Sequence, residues 1–483
     1  MRNLDSNRVL GRVLIYGASR DTAVLRTILA AVGADVDFVH PTSVADDLGT
    51  DFPAAVAGHR VAEPCDVPSR PFEYDAVFVD TSYDEILPPD KLWCSVEAKR
   101  AGALVSCVAD YVLAGSNALT IGVTGSAGKT TTASLIAHIL RTAGRTVHIA
   151  TDPRPQTNRC PNYEVLLALP EMAPTDVLVA ELTSVCLSYM QTSPDIAVVT
   201  NLWPEHVEWH GSMAAYVSAK QNILRYQGAD DWAVLNGDDP EVQQHFARRC
   251  GSRLAFFGRE DPHHPYCVFL SANAVRVRWD DYEEEVALGR ELHAEEPHVL
   301  NMLAAVAVAK AAGSENAALA EALSSFPGVT QRRELVGEVR GVRVFNDGMA
   351  MSPVKVRRSL ESFAYGSVLL IAGGDATLPN EVLHSSLQAR AQLEQLAETI
   401  ARRTRTVVLY GEGGRILRSV LLGRQTDGVE LLEVADLSAA TSIAAARARA
   451  GTVLLFAPLF YVPPEDRSQM GERLLRELML LDH

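Results

Sequence analysis

The sequence predicts an α/β protein in which strands and helices alternate through three successive segments. Three observations carry this expectation. Short apolar, strand-like runs such as "DVLVAEL" (176–182), "IAVVTNL" (196–202) and "WAVLNGDD" (232–239) alternate with helical stretches such as "MAAYVSAKQNILRYQG" and "HVLNMLAAVAVAKAAG". Such alternation is the pattern of a parallel sheet with helices on both faces. The pattern opens at "GRVLIYGAS" (11–19), restarts at "ALTIGVTG" from Ala118, and starts again after the Pro-Gly punctuation of "SFPGVTQRRE" (325–334). At 483 residues the chain also exceeds one ordinary domain.

In the first segment a strand, a glycine turn and the run "TAVLRTILAAVGADVDFVH", a helix followed by a second strand, form the opening of a Rossmann-like unit. Gly17 occupies the turn, but Ser19 and Ala23 are not the glycines of a dinucleotide fingerprint, so a plain βαβ packing unit competes with nucleotide binding here. Strands near "VRVFND", "SVLLIAGG", "TVVLYG" and "TVLLFAP" make the last segment α/β again, and Leu437 to Ala450 reads as an amphipathic surface helix. The expected organisation is a Rossmann-like N-terminal domain (1–115), a central P-loop ATPase domain with a mostly parallel sheet (116–328) and a C-terminal Rossmann-like α/β domain (329–483).

Composition narrows the function. No apolar run approaches the length of a membrane span. The start, "MRNLDSNRVLGRVLIYG", lacks the apolar core of a secretory signal. Seven scattered cysteines without a CxxC pair argue against a disulfide frame or zinc site. A net charge of −16 argues against a nucleic-acid footprint, which needs a basic face, and leaves room for local basic phosphate sites. A cytoplasmic, monomeric enzyme with small-molecule partners, no nucleic acid and no membrane is expected.

"TIGVTGSAGKTTTASLIAHIL" (120–140) is the strongest single signal. Gly125, Ser126, Ala127, Gly128, Lys129, Thr130 and Thr131 lie between an apolar strand and a good helix, the setting of a phosphate loop. Small residues let backbone N–H groups close round phosphate oxygens, and the helix N-terminus adds its positive end. Lys129 would reach the outer phosphates and the Thr130 hydroxyl would serve magnesium. Val123 replaces the leading glycine of the longer signature, whereas the shorter TGxxGKT form is intact. Downstream, Glu181 in "AELTS" and His206 in "TNLWPEHVEWHG" follow apolar strands whose ends converge on the phosphate crevice. Lys220 falls within a helix beside Tyr216 and Ile223.

Together these residues resemble the Mur ligase family, ATP-dependent amide ligases of peptidoglycan stem-peptide synthesis. "TGSAGKTTT", "AELTS" and "TNLWPEHVEWHGSMAAYVSAK" are similar to the family's phosphate loop, E-x-S/T strand end and T-N…H-G…A-K signature, and the likeness is greatest to its D-glutamate-adding type. The resemblance implies that a carboxylate is activated as an acyl phosphate and captured by an amine. ATP and Mg2+ are implied, with Lys220 carbamylated. It assigns the metal to Thr130, Glu181, His206 and Lys220, and catalysis to Lys129, Lys220, His206 and Arg332. "QRRE" makes Arg332 a contact to the terminal phosphate; "FNDGMAMSP" turns Asp347 toward the nucleotide; "PHVLN" keeps Asn301. A hinge is implied near Phe326 to Thr330.

The acceptor side departs from the family. Met349 and Met351 stand where its lysine and threonine would be, and Thr377 stands at a further lysine position. The resemblance implies that the two lysines hold the carboxylates of D-glutamate in the resembled type. Their loss favours an acceptor other than D-glutamate, in a natural-product or variant cell-wall pathway, over D-glutamate ligation itself. For the carboxylate donor, which a UDP-linked compound would suit, Ser19, Arg20 and Asn158 are the candidate contacts. A catalytically weakened nucleotide-binding regulatory partner is the alternative of another class, opposed by retention of Lys129, Glu181, His206, Lys220 and Arg332.

Overall fold

The computed structural model describes residues 11–17, 19–39, 72–81, 86–150, 161–271, 274–286, 298–376, 387–424 and 428–480. It is α/β throughout, with three separate sheets. The first contains β1 (Arg12–Tyr16), β2 (Asp35–Val39), β3 (Ala76–Val79) and β4 (Leu104–Cys107), in the order β2-β1-β3-β4 and all parallel. The helix Arg20–Ala31 makes the crossover between β1 and β2, and Ser19 caps it in a capping box with Thr22.

The second sheet contains β5 (Leu119–Thr124), β6 (Val147–Ala150), β7 (Val177–Glu181), β8 (Ile196–Val199), β9 (Trp232–Asn236), β10 (Arg253–Gly258), β11 (Tyr266–Ser271), β12 (Ala274–Trp279) and β13 (Tyr282–Val286). Its order is β13-β12-β11-β10-β9-β8-β5-β7-β6. Only the β11–β12 and β12–β13 pairs are antiparallel. β5 has β7 on one side and β8 on the other, so the chain reverses its direction of winding there. A crevice opens beyond the carboxyl ends of strands at such a switch point.

The third sheet is built from β14 (Glu334–Val339), β15 (Val342–Asn346), β16 (Val368–Gly373), β17 (Thr404–Tyr410), β18 (Glu430–Val434) and β19 (Val453–Leu459), in the order β14-β15-β19-β16-β17-β18. All neighbours are parallel except β14–β15. Successive side chains leave opposite faces of a strand. Leu370 and Ala372 of β16 accordingly join one apolar cluster, while Leu369 and Ile371 join another. Both faces being covered explains why this strand reads as unbroken apolar sequence. The helix expected in the alanine- and arginine-rich run spans Leu437–Arg447 and buries Ala440, Thr441, Ala444 and Ala445.

The chain divides into two compact units: Met1–Glu291 with Leu300–Phe326, and Leu292–Val299 with Pro327–His483. The first two sheets belong to the first unit and the third sheet to the second. No described helix is long and apolar enough to cross a membrane.

Strand β5 is tightly enclosed just before the glycine loop. A Cβ at Gly122 would lie 2.7 Å from Cγ of Pro194 and 2.9 Å from Cδ1 of Leu182. Overpacking of this kind costs about 1–3 kcal/mol. Gly122→Ala should therefore lower the thermal unfolding midpoint of the first unit, measured by calorimetry.

Candidate nucleotide and metal site

The loop after β5 is held by its neighbours rather than by itself. Gly125 has φ 151°, and a Cβ there would sit 1.9 Å from Oγ1 of Thr200. Gly128 has φ 84°, and its Cβ would meet Oδ1 of Asn301 at 2.4 Å. At both positions a side chain would be strained and would displace Thr200 or Asn301. Residues just beyond β8 supply the clamp. Thr200 Oγ1 donates to the Ala127 carbonyl at 2.6 Å, Asn201 Nδ2 donates to the same oxygen at 3.0 Å, and Asn201 Oδ1 accepts from Ala127 N–H at 2.8 Å. The Ser126 hydroxyl donates to the Trp203 carbonyl and pairs with the Tyr216 hydroxyl. Lys129 begins the helix Lys129–Thr142, and Thr131 is buried in its first turn. Lys129 Nζ donates back to the carbonyls of Gly125 (3.1 Å) and Ser126 (3.4 Å). A phosphate entering the loop would exchange these for stronger, charge-assisted bonds.

Oxygen donors meet beside the loop. Thr130 Oγ1 donates to Glu181 Oε2 at 2.7 Å, with Glu181 buried at the end of β7. A hydroxyl and a carboxylate suit a hard cation such as Mg2+. Among the described residues no three His, Cys, Asp or Glu side chains are gathered as a ligand set. The third oxygen donor must then come from another residue type, from nucleotide or from water.

Lys220 is 1% exposed in the helix Met213–Arg225. Its Nζ donates to Gly125 O (2.9 Å) and Thr124 Oγ1 (3.2 Å) and lies over the Tyr216 ring. Burial, with the like charge of Lys129, depresses its pKa well below the ordinary lysine value, while Glu205 and Glu181 oppose the shift. The amine is thereby biased toward its neutral, nucleophilic form. His206 takes left-handed backbone (φ 55°) before the short helix Val207–His210, and its charge acts on His210. The His210 ring packs edge-on against Trp209 and Tyr216, and its Nε2 is buried without a partner among the described residues. Burial, then His206 and Lys220, lower its pKa to about 4.

In the second unit, Asp347 is buried after β15, and burial raises its carboxyl pKa against the pull of Arg333. Arg333 N–H donates to Asp347 Oδ1 at 3.2 Å, and its side chain donates to Ser362 and to Nδ1 of His298. His298 Nε2 faces the Arg332 carbonyl at 3.1 Å. A carbonyl only accepts and a guanidinium only donates, so this network assigns the ring proton to Nε2 and leaves the imidazole neutral. Burial and Arg333 depress its pKa in the same sense. Nε of Arg332 is buried with no partner among the described residues.

Of the residues expected from the sequence, the structure brings together Gly125 to Thr131, Glu181, Lys220 and Asn301 around the loop. Ser19 serves as a helix cap. Asn158 and Thr377 lie outside the described residues, as does the side chain of Arg20. Sequence reasoning passed over Thr200 and Asn201 as site residues, although "TN" stood at a strand end in a quoted motif. It also passed over Arg467, whose Nη1 lies 3.0 Å from the sulfur of Met349 and 3.6 Å from that of Met351. No motif pointed to it.

Two outcomes follow. Electrostatic donors to a transferring phosphoryl group are worth roughly 10²–10³ in turnover, so Lys129→Ala should reduce turnover at least a hundredfold in an ATP-dependent assay. His210 binds a proton in the unfolded chain below its ordinary 6.5 but in the folded chain only below about 4. Stability should rise with pH between those values, and His210→Gln should flatten that slope in urea titrations.

Residues 123–309 match the Mur ligase middle domain. The chain is 33% identical over 460 residues to a UDP-N-acetylmuramoylalanine–D-glutamate ligase of Symbiobacterium thermophilum, covering 94% of this chain and 90% of that protein. A ligase of the same name from Pelotomaculum thermopropionicum is 32% identical over 70% of this chain and 69% of its own. Among solved structures, the MurF ligase of Thermotoga maritima in complex with ADP aligns with TM-score 0.56 at 20% identity, over 84% of this chain and 88% of that one. The UDP-N-acetylmuramate–alanine ligase MurC from the same organism aligns with TM-score 0.57 at 18% identity, over 97% and 99%. Near-complete coverage by a relative at this identity, on a site with an intact phosphate loop, shows that the chain belongs to the Mur ligase family and is an ATP-dependent acid–amino-acid ligase.

Proposed function

We propose that this ligase activates the carboxylate of a UDP-linked muramoyl donor as an acyl phosphate and joins it to an amino acid whose binding set differs from that for D-glutamate. The observation that carries the reading is the 33% identity over nearly the whole chain to a ligase acting on UDP-N-acetylmuramoylalanine, combined with the Met349 and Met351 departures. Residues 1–115 are assigned to the donor, 116–328 to ATP and 329–483 to the acceptor.

Each step then has a residue. Backbone N–H groups at the start of the helix Lys129–Thr142 hold the phosphates, and Lys129 leaves its own loop carbonyls to meet the transferring group. Thr130 and Glu181 would hold Mg2+, which when bound neutralises charge on the phosphates. Lys220 completes the oxygen set once its neutral amine has captured CO2. The amine becomes a carbamate, an anionic oxygen donor, and the proton released goes to solvent. His206 would extend this set on nucleotide binding. Arg332, whose Nε has no partner among the described residues, would add a second cation to the transferring phosphoryl group after closure about residues 326–330. Asp347 and Asn301 would border the nucleotide.

D-glutamate as acceptor is the second reading, favoured by the names of the relatives. The test is phosphate release from ATP with Mg2+, bicarbonate, UDP-N-acetylmuramoyl-L-alanine and a panel of amino acids, with products weighed. An amide formed with another amino acid in preference to D-glutamate supports the first reading, and one formed only with D-glutamate supports the second. No amide with any partner overturns both. For Lys220, a carbamate carbon should appear by NMR in 13C-bicarbonate and vanish in Lys220→Met. Its absence from wild-type protein would remove the modification.

A further inference from the structure

The second unit holds a buried cation for which the described chain supplies no anion. Arg467 lies in the first turn of the helix Pro464–Leu480 and is 4% exposed. Its Nη1 touches the thioethers of Met349 and Met351, which are weak acceptors. Its Nε is buried without a partner among the described residues. The groups acting on its charge are Tyr461 and Arg332, the latter of like sign. A guanidinium cannot escape burial by losing its proton. Burying such a charge unpaired is strongly unfavourable, so a cation in these surroundings calls for an anion.

The surrounding chain holds the residue in place. Asn346 Nδ2 donates to the Arg467 carbonyl at 3.0 Å, and a Cβ at Gly348 would lie 3.1 Å from Cβ of Arg467. Asn346 and Gly348 flank Asp347 at the carboxyl end of β15, the edge at which open α/β sheets bind ligands. The cation absent from position 349 is thus supplied by a different element, the last helix.

We infer that Arg467 is the anchor for a carboxylate of the amino-acid acceptor, and that uncharged amines are excluded for want of it. This rests on the ligase reading above. A guanidinium fork matches phosphate as well as carboxylate. The carboxylate is favoured because Arg467 bridges the two methionines at the acceptor motif.

The test uses full-length enzyme with ATP, Mg2+, UDP-N-acetylmuramoyl-L-alanine and two sets of acceptors. Glycine, D- and L-alanine, and D- and L-glutamate are compared with their carboxamides. Wild type should prefer each carboxylate. Arg467→Met should raise acceptor KM by about tenfold or more, bring the preference close to unity and leave KM for ATP unchanged. Arg467→Lys should restore part of it. Because the methionine variant removes an unpaired buried charge, its unfolding midpoint should equal or exceed that of wild type. Calorimetric binding of the same compounds separates the two readings. Binding that depends on Arg467 without amide formation supports the anchor and sinks the proposed reading of donor and acceptor. Retained discrimination in folded Arg467→Met overturns the anchor, as does a rise in KM for ATP, a fall in unfolding midpoint, or failure of wild type to bind any carboxylate.

Discussion

The clamp between the end of β8 and the loop after β5 is the constraint on which the nucleotide site depends. The loop has two glycines in conformations that ordinary residues avoid, and three hydrogen bonds from Thr200 and Asn201 fix its middle residue, Ala127. Held this way, the loop keeps its shape and the helix start behind it without paying ordering entropy when phosphate arrives. The same geometry places Thr130 against Glu181 and stretches the Gly125 carbonyl toward Lys220. Both contacts require the parallel order β8-β5-β7, which brings three strand ends to one crevice.

The two units handle buried positive charge in different ways. Lys220 is compact and can shed its proton, so burial makes it a neutral amine that is open to modification. Arg467 cannot do so and keeps its charge among thioethers. Arg333 shows the conventional solution: its guanidinium donates to Ser362 and His298, and its charge acts on Asp347. The contrast separates a cation that supports the fold from two whose surroundings suit chemistry or a ligand.

The fold was legible because each segment repeats one signal: apolar runs short enough for strands, separated by helical periodicity and punctuated by glycine. Every strand proposed from "ALTIGVTG" to "TVLLFAP" is a strand in the structure. The phosphate loop was legible for the same local reason, since glycine, lysine and threonine act within seven residues of one another. Glu181 and Lys220 could be picked out once the parallel order was assumed, because strand ends converge.

What the sequence determined by itself is therefore the α/β class, the phosphate loop and the family-like order of motifs, all set by neighbours along the chain. Tertiary structure alone decided that Thr200 and Asn201 grip Ala127, that the His210 ring packs on Tyr216, and that Arg467 reaches Met349 across more than a hundred residues. Such pairings depend on strand order and helix placement. Side chains distant in sequence carry no shared local pattern, and only packing brings them within hydrogen-bonding range.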